Sequence, residues 1–585
     1  MLFSFLFLIL FALNCVAVTP VRGPAAVSSP PLARGTASVA ENIQLEKMTV
    51  RQKVGQLLMV GFFGQAIENG LQKTISSLAP GAVIVFGRNV KSANQIVRLT
   101  TSAQALSLKA SHVPLLIAVD QEGGDVIRLK TAMPLPSALS IGKTKDSALA
   151  EAAGLATGQL LKTLGFNMNL APVLDVADPH RANFIGTRTY GGNPQTVGRM
   201  GVQFSEGLAR AGVLPTGKHF PGHGGVNEDS HEQTPQRTCS LDELRKADLV
   251  PFLAMQKHFG SKWATMLAHI AYPEIDSSGL PATFSHPIVT DILRNEVGFN
   301  GLVITDDIQM GGATAIKDIR ERAVRAIEAG ADMILVAWSL KTQQTILEAL
   351  ERAVNSGRIS KERLDESVRR ILVAKNIYAK KAGHAPTAQE LRLAIRNPKF
   401  TEIALETANA AVGRPEDKAA LEFKEFAGGR PILVFSANRR FFTTFHDAIP
   451  GRSSRYFGLD SDRPEATDRI MRSNPEAVGV FYVSGSHAVR LVNQVSEDVA
   501  RRTLVVTVET DGMIEHQGDF RHVVNAYYRH PNLGEFVANS FFKDSQKIRT
   551  PASNAAASST KPAKRLQPRS NPFKEAVTEP NGEIR

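Results

Sequence analysis

The chain has an apolar stretch that leads into a cluster of polar residues, Lys218-His219-Phe220-Pro221-Gly222-His223-Gly224. The preceding residues, Gly212–Thr216, are typical of a buried strand, and Asp229-Ser230-His231 follow soon after the glycines. A second apolar stretch ends in the same way, at Gly301-Leu302-Val303-Ile304-Thr305-Asp306-Asp307. Short apolar strands of this kind are expected in parallel sheets that are covered on both faces. Both stretches therefore favour an α/β fold with polar loops at the carboxyl ends of its strands.

Strand and helix signals alternate around these two stretches. Amphipathic helical segments such as Glu151–Leu164 and Ile319–Ala329 separate the apolar runs, and Ser240-Leu241-Asp242-Glu243 indicates a capping box that opens a helix. The runs predicted as strands are Leu57–Phe62, Ala82–Phe86, Leu115–Val119, Phe166–Leu170, Gly212–Thr216, Ala264–Ala268, Leu302–Ile304 and Met333–Val336. Eight successive βα units predict a (β/α)8 barrel of the TIM type.

Polar residues follow these predicted strands in a regular way. Each of six lies at or just past the carboxyl end of a strand: Asp120, Asp175, Lys218, His219, His269 and Asp306. In a (β/α)8 barrel these ends meet on the face that carries catalysis. Charges scattered over a surface would not follow the strand ends, so the pattern predicts an active site there.

The rest of the chain divides into further predicted segments. We expect a barrel over residues 42–380, a connecting helical segment over 381–424 and a small α/β sandwich-like domain over 425–542. Strands of the small domain are predicted at Pro431–Phe435, Ala477–Val483 and Thr503–Val508. Residues 543–585 are rich in Ala, Ser, Pro and Lys, which predicts a disordered basic tail.

The amino terminus predicts export. Residues 1–17 are almost purely apolar but too short for a spanning helix, which is typical of a signal peptide. Residues 18–41 are rich in Pro, Ala, Ser and Gly and are predicted to be a linker. Cleavage after Ala17 is expected, and lipidation at Cys15 is an alternative that the larger Asn14 disfavours. The mature protein is then periplasmic, associated with the cell envelope or secreted, and Cys239 has no partner for a disulfide.

The net charge of +12 does not by itself indicate a nucleic-acid partner. Residues 545–570 hold six basic and no acidic residues and so supply +6 of that total. A solvated basic tail is the common outcome, and no motif that reads RNA or DNA is present. We therefore predict no nucleic-acid partner, and the sequence leaves the oligomeric state open.

Several motifs in this order resemble family 3 glycoside hydrolases, and within them the β-N-acetylglucosaminidase branch. The resemblance covers roughly residues 45–380 and depends on motifs whose succession is highly specific. They are Ala118-Val119-Asp120-Gln121-Glu122-Gly123-Gly124, Leu170-Ala171-Pro172-Val173-Leu174-Asp175-Val176, Lys218–Gly224, Asp229-Ser230-His231 and Thr305-Asp306-Asp307.

The resemblance implies a retaining exo-glycosidase (a β-N-acetylhexosaminidase) with a β-linked amino-sugar glycan as substrate and peptidoglycan or its fragments as the natural source. Asp306 corresponds to the nucleophile, and Asp229 with His231 to an acid/base dyad on a mobile loop. Residues matching the sugar-binding positions are Asp120, Arg128, Arg188, Lys218 and His219. One position departs from the branch, because Asp125 stands where an arginine is usual after the two glycines.

The residues themselves support this chemistry but leave alternatives. Retaining hydrolysis needs a carboxylate beside the anomeric carbon and a proton donor at the leaving oxygen. A histidine titrates near working pH, and a carboxylate two residues earlier can orient its ring. Asp306 alternatively caps a turn while Asp307 reacts, Asp175 binds sugar or braces a loop, and Glu122 is expected to be structural.

Other functions account for some of the same residues. A metal site at His219, His223 and His231 is disfavoured, because Pro221 and the glycines rule out a helical ligand pair there; no metal or cofactor is predicted. A β-glucosidase or a phosphorylase is an alternative within the family, since a neutral histidine repels phosphate less than a carboxylate does. A non-catalytic glycan-binding wall protein is the alternative of another class.

Overall fold

Eight parallel strands close into a barrel in the computed structural model of this chain. It describes residues 45–542 except 69, 131–133, 180, 182–183, 380–384, 413–417, 460–463 and 510–519. The predicted signal peptide, the predicted linker and the predicted basic tail lie outside the described residues. The barrel strands are β1 Leu58–Val60, β2 Ala82–Val85, β3 Leu116–Val119, β4 Met168–Asn169, β5 Leu214–Phe220, β6 Ala264–Leu267, β7 Leu302–Asp307 and β8 Met333–Val336.

Each barrel strand pairs with its neighbours in sequence order, and β1 closes the barrel by pairing with both β2 and β8. Apolar side chains of the strands are buried on both faces, as expected for parallel strands that helices cover. The helices around the barrel are Val50–Gln56, Leu71–Leu78, Ala93–Ser111, Ala138–Thr144, Ser147–Thr163, Pro194–Arg210, Leu241–Lys246, Leu249–Phe259, the π-helix Pro287–Glu296, Ile319–Ala329, Leu340–Asn355 and Lys361–Tyr378. The predicted TIM-type barrel is confirmed.

Two strands differ from their predicted bounds in a way that matters for the site. β5 continues to Phe220 instead of ending at Thr216, and β7 continues through Asp307 instead of ending at Ile304. The register of β5 against β6 shifts between Lys218 and Phe220. The apolar run ends at the first polar side chain, but the strand continues past it. Lys218, His219 and Asp306 are therefore residues of the strands themselves. The capping box at Ser240 is present as predicted.

A second sheet follows the barrel, as predicted for an additional α/β domain. Its parallel strands are β9 Ile432–Ser436, β10 Ser454–Phe457, β11 Val478–Val483, β12 Thr503–Thr507 and β13 His522–Asn525, in the spatial order β10-β9-β11-β12-β13. Three helices join it to the barrel, Ala388–Ile395, Pro398–Val412 and Lys418–Ala427. The helices along the sheet are Arg439–Ala448, Pro464–Arg472, Ser486–Val492, Glu497–Ala500 and Leu533–Phe541. The predicted boundaries of this domain stay predictions.

Aromatic side chains pack on both faces of the second sheet. Phe435 stacks on Phe481 with ring centroids 4.7 Å apart, and Tyr482 stacks on Phe441 at 4.5 Å. Stacked rings add to the free energy gained by burying their surface. Helices cover both faces of this sheet.

No helix among the described residues is long and apolar enough to cross a membrane.

The second sheet touches the barrel close to the predicted sugar pocket. The hydroxyls of Ser137 and Ser140 donate to the carbonyl oxygens of Tyr527 (2.7 Å) and Ala526 (3.0 Å). Ser137 also packs against Gly124, where a Cβ would lie 2.8 Å from the serine Cβ. Gly124 belongs to the turn of a hairpin between Gln121–Gly123 and Val126–Ile127. The second domain therefore supports the segment that follows β3.

Candidate active site

Every residue predicted for the site lies in the last residues of a barrel strand or in the segment that follows one. Asp120 follows β3, and Arg128 follows the hairpin after it. Arg188 ends a 3-10 turn, Gly186–Arg188, in the segment after β4. Lys218 and His219 end β5, Asp229 and His231 lie in the loop after it, and Asp306 lies in β7. Asp125, where the sequence departs from the branch, is exposed in the hairpin turn.

Lys218 stands at the centre of a charged network. Its Nζ lies 2.8 Å from Asp120 Oδ1 and 2.6 Å from Glu122 Oε1. Arg188 binds the same Glu122 with two parallel hydrogen bonds, Nε to Oε2 at 2.8 Å and Nη2 to Oε1 at 2.9 Å. Arg128 Nη2 lies 4.0 Å from Asp120 Oδ2. Four of the five predicted sugar-binding residues are thus linked to one another, directly or through Glu122.

The balance of burial and charge keeps this network ionised. Burial opposes the charge of Glu122, but the nearby Arg188 and Lys218 outweigh it and hold the pKa of Glu122 well below its usual value. Burial likewise opposes the charge of Lys218, and Asp120 and Glu122 reverse that effect and raise its pKa. A bidentate arginine–carboxylate pair fixes geometry as well as charge. These contacts favour a structural role for Glu122, because its carboxylate orients both cations.

Asp175 braces His219 through hydrogen bonds. The carboxylate is fully buried, and it accepts hydrogen bonds from the backbone amides of His219 (3.1 Å) and His223 (2.6 Å). His219 Nδ1 lies 2.7 Å from Asp175 Oδ2, so Nδ1 carries the proton and Nε2 stays available to a ligand. Burial opposes the charge of Asp175, yet His219 holds its pKa below the usual value. Of the two alternatives for Asp175, the geometry supports the bracing role.

The two neighbouring carboxyl groups of β7 differ in their surroundings. Burial alone would raise the pKa of Asp306, but His269, His219, the Asp307 amide (2.8 Å) and Lys218 together hold it below its usual value. Burial raises the pKa of Asp307 to about 7, and the charge of Asp306 contributes to that rise. Asp306 is therefore ionised at neutral pH while Asp307 is substantially protonated. An ionised carboxylate is the form that attacks carbon.

Asp229 and His231 form the predicted hydrogen-bonded pair. His231 Nδ1 lies 2.7 Å from Asp229 Oδ1, and the His231 amide donates to the same oxygen at 2.8 Å. The carboxylate only accepts hydrogen bonds, so Nδ1 holds a proton and Nε2 is the nitrogen left for proton transfer. The His231 side chain is exposed and that of Asp229 is half-buried, and the Phe184 ring lies 5.7 Å from the His231 ring.

The loop that carries this pair is bound to the turn after β7. Gly311 donates its amide hydrogen to the His231 carbonyl at 2.9 Å, and Gly312 donates to the Ser230 carbonyl at 2.8 Å. The Thr234 hydroxyl donates to the Gly312 carbonyl at 2.8 Å. A Cβ at Gly311 would lie 2.2 Å from the Glu232 carbonyl oxygen, so only glycine fits there. The segment with the candidate acid thereby meets the strand with the candidate nucleophile.

A buried histidine anchors the same loop from the barrel side. His223 Nε2 lies 3.0 Å from Ser230 Oγ, and the Phe184 ring lies 5.2 Å from the His223 ring. Burial and, less strongly, the neighbouring His219 lower the pKa of His223 to about 4. His223 is therefore neutral at working pH and serves as a hydrogen-bonding anchor. Across the described part of the chain, no three or more His, Cys, Asp or Glu side chains are grouped to hold a metal ion.

The barrel part of the chain matches a known family. Residues 49–374 match the glycosyl hydrolase family 3 N-terminal domain, which is more than half of the chain.

The chain belongs to glycosyl hydrolase family 3.

As a family 3 protein it is a glycoside hydrolase, and the prediction from the motifs is confirmed. It is 39% identical over 298 residues to a β-hexosaminidase of Idiomarina loihiensis, a match that covers 50% of this chain and 87% of the relative. It is 40% identical over 266 residues to a β-hexosaminidase of Neisseria gonorrhoeae, a match that covers 44% of this chain and 71% of the relative. The structure of a family 3 β-N-acetylglucosaminidase from Paenibacillus sp. FPU-7 superposes with a TM-score of 0.72, at 30% identity, over 84% of this chain and 96% of that chain.

Some residues of this family 3 site were not found from the sequence. The sequence predicts no role for Ser230, which lies within a motif, or for Phe184 and the glycine pair Gly311-Gly312. The adjacent glycines, close after a predicted nucleophile, were the available signal, because glycine is favoured where another backbone approaches closely. No sequence pattern paired Gly311 with His231, since the contact joins different segments.

Proposed function

We propose that this family 3 hydrolase removes terminal β-linked N-acetylglucosamine from glycans with retention of anomeric configuration. Relatives named β-hexosaminidase and β-N-acetylglucosaminidase support N-acetylglucosamine as the sugar that is removed. The observation that carries the proposal is the Asp229–His231 pair, bonded through its loop to the turn that follows Asp306. A nucleophilic carboxylate and a proton donor on neighbouring segments are the two groups that this reaction requires.

In the first step, Asp306 attacks the anomeric carbon and a covalent bond forms between its carboxylate oxygen and the sugar. The bond to the leaving oxygen breaks as His231 Nε2 gives that oxygen a proton. The proton requires His231 to enter the step as an imidazolium, which Asp229 stabilises through Nδ1. The pKa of Asp306 lies below its usual value, which keeps the nucleophile ionised at neutral pH.

In the second step, water attacks the anomeric carbon and His231 Nε2 takes a proton from it. The bond to Asp306 breaks, the carboxylate is restored and the sugar leaves with the configuration of the substrate. His231 thereby returns to the protonated form needed for the next cycle. One histidine serves both steps, as acid in the first and as base in the second.

The charged network forms the floor of the sugar site in this proposal. Lys218, Arg128 and Arg188 present N–H groups, Asp120 presents a carboxylate, and His219 presents Nε2. Sugar hydroxyls both donate and accept hydrogen bonds. A set of donors and acceptors at fixed positions therefore binds the sugar in one orientation. Glu122 and Asp175 keep these groups in place from behind.

We also propose that the enzyme acts outside the cytoplasm, on amino-sugar glycans of the cell envelope such as peptidoglycan fragments. The apolar residues 1–17 support export, and the predicted processing sites are Ala17 and Cys15. Sequencing of the mature amino terminus tests this. A start near Val18, or a lipidated Cys15, is expected, and an intact Met1 on soluble cytoplasmic protein would contradict export.

The proposed activity is tested with aryl β-glycosides that differ only at the 2-position of the sugar. The 2-acetamido glycoside should be hydrolysed, and the glucoside should be cleaved far more slowly. Proton NMR of the first product should show the β-anomer. Faster cleavage of the glucoside, or sugar 1-phosphate as the main product in phosphate buffer, would instead favour a β-glucosidase or a phosphorylase.

A further inference from the structure

Two large aromatic side chains are exposed on the catalytic face of the barrel. Phe63, after β1, is 56% exposed, and Trp338, after β8, is 49% exposed. Their ring centroids are 6.1 Å apart. The other exposed large apolar side chains of the described residues all lie on helices. A pair of exposed rings beside an active site marks a binding surface more strongly than isolated apolar residues do.

Arg88 holds the two rings in place. Its guanidinium carbon lies 4.9 Å from the Phe63 ring centroid and 4.6 Å from that of Trp338. Its Nε donates to the Phe62 carbonyl at 3.2 Å, and its Nη2 donates to the Ala337 carbonyl at 2.9 Å. A guanidinium packed on aromatic faces and bonded to two backbone carbonyls restricts the motion of both rings. The rings are therefore preorganised despite their exposure.

Trp338 is connected through its backbone to the turn after the candidate nucleophile. The Trp338 amide donates to Gln309 Oε1 at 3.1 Å, and the Ala337 amide donates to Asp307 Oδ1 at 3.4 Å. Two residues further on, Gly311 binds the carbonyl of His231. Trp338 and the loop of the candidate acid thus attach to one short segment, residues 307–311, and Phe63 lies beside Trp338. A leaving group must depart beside the proton donor, so the surface along this segment is where it lies.

We propose that Phe63 and Trp338, positioned by Arg88, form the subsite for the sugar that leaves the reaction. The occupant is the pyranose ring on the reducing side of the cleaved bond, whose C–H face packs on an aromatic ring. The proposal deepens the proposed function and rests on it. The charged network takes the N-acetylglucosamine through hydrogen bonds, while the aromatic pair takes the next ring through apolar contact, which distinguishes the two subsites chemically.

The test compares two substrates with the same sugar at the cleaved bond. The β-1,4-linked disaccharide of N-acetylglucosamine has a leaving ring, and N-acetyl-β-glucosaminyl fluoride has none. The value measured is the ratio of kcat/KM for the disaccharide to that for the fluoride. We expect Trp338→Ala, and more so the double variant with Phe63→Ala, to lower this ratio by about tenfold or more. Trp338→Tyr keeps a ring and should retain most of the ratio.

Leu393→Ala is the matched control, because Leu393 is an exposed apolar residue on the outer helix Ala388–Ile395. It should leave the ratio at the wild-type value. Circular dichroism and Tm confirm that each variant is folded. An unchanged ratio in the double variant, or equal losses on both substrates, would overturn the subsite. A wild-type protein that cleaves neither substrate would overturn the proposed function, and the subsite with it.

Discussion

The amide of Gly311 donates to the carbonyl of His231 at 2.9 Å, which joins the loop of the candidate acid to the strand of the candidate nucleophile. The approach is so close that a Cβ at Gly311 would lie 2.7 Å from that same carbonyl oxygen. The position of His231 therefore depends on the close approach of Gly311 and Gly312 to its loop.

Gly311→Ala should displace the loop and weaken proton donation. We expect kcat/KM to fall by about tenfold or more for alkyl glycosides, which need a proton on the leaving oxygen, and much less for nitrophenyl glycosides. Gly429→Ala is the control, because a Cβ at Gly429 meets nothing within 4 Å. Equal losses on both substrate types would show that the glycine does not act through His231.

His231→Ala removes the candidate acid itself and should show the same leaving-group pattern more strongly, by about 100-fold or more on alkyl glycosides. Asp229→Ala should show it more weakly, because Asp229 orients and tunes the imidazole. The measurement is kcat/KM across a series of leaving groups of graded pKa. A fully active Asp229→Ala enzyme would leave the pair without support, and a loss independent of the leaving group would contradict the role of His231.

Asp307→Asn tests the other carboxyl group of β7 through the pH dependence of stability. An aspartate ionises near pH ~4 in an unfolded chain, whereas burial raises the pKa of Asp307 to about 7 in the folded protein. The folded state then binds this proton more tightly, so its contribution to stability is lost as the pH rises between these two values. Asparagine cannot ionise, and its Oδ1 can still accept from the Gln309 amide.

The Tm of Asp307→Asn, relative to wild type, should therefore be higher at about pH 8 than at about pH 5. Activity should remain within about tenfold of wild type if Asp306 alone is the nucleophile. Differential scanning calorimetry at both pH values gives the first result. Inactivation as complete as that of Asp306→Ala would instead assign the nucleophile to Asp307.

Glu122→Gln removes the charge that holds Lys218 and Arg188 together. Two buried cations are then left with less compensation, and loss of one partner from a buried pair costs about 3 kcal/mol or more. We expect a lower Tm and a higher KM, because both cations also belong to the proposed sugar site. Glu122→Asp keeps the charge and should recover part of both. Unchanged Tm and KM would show that the network does not depend on Glu122.

The sequence predicted the barrel because strand ends are visible as short apolar runs closed by polar residues such as Asp120 and Asp306. It placed the end of β5 too early, since Lys218 is polar but its strand backbone continues. It also missed β10 and β13, which lie at the edges of the second sheet and have fewer fully buried residues. Edge strands need less apolar character, so their pattern is weaker.

Within the site, the sequence predicted candidate reactive side chains but not the contacts that position them. Asp229 and His231 are two residues apart, so their pairing follows from local geometry. The contact of Gly311 with His231, the bracing of His219 by Asp175 and the attachment of Trp338 to Gln309 all join distant segments. Such contacts depend on how loops meet above the barrel, and a single sequence carries little trace of them.

Asp306 is the residue proposed to form the covalent bond to the sugar. A fluorinated N-acetylglucosaminyl fluoride that forms the intermediate quickly and hydrolyses slowly should inactivate the enzyme. Protease digestion and tandem mass spectrometry then locate the added mass. We predict that it lies on Asp306, and that Asp306→Ala takes up no label. Label on Asp307 or Glu122, or inactivation without any covalent adduct, would contradict the account.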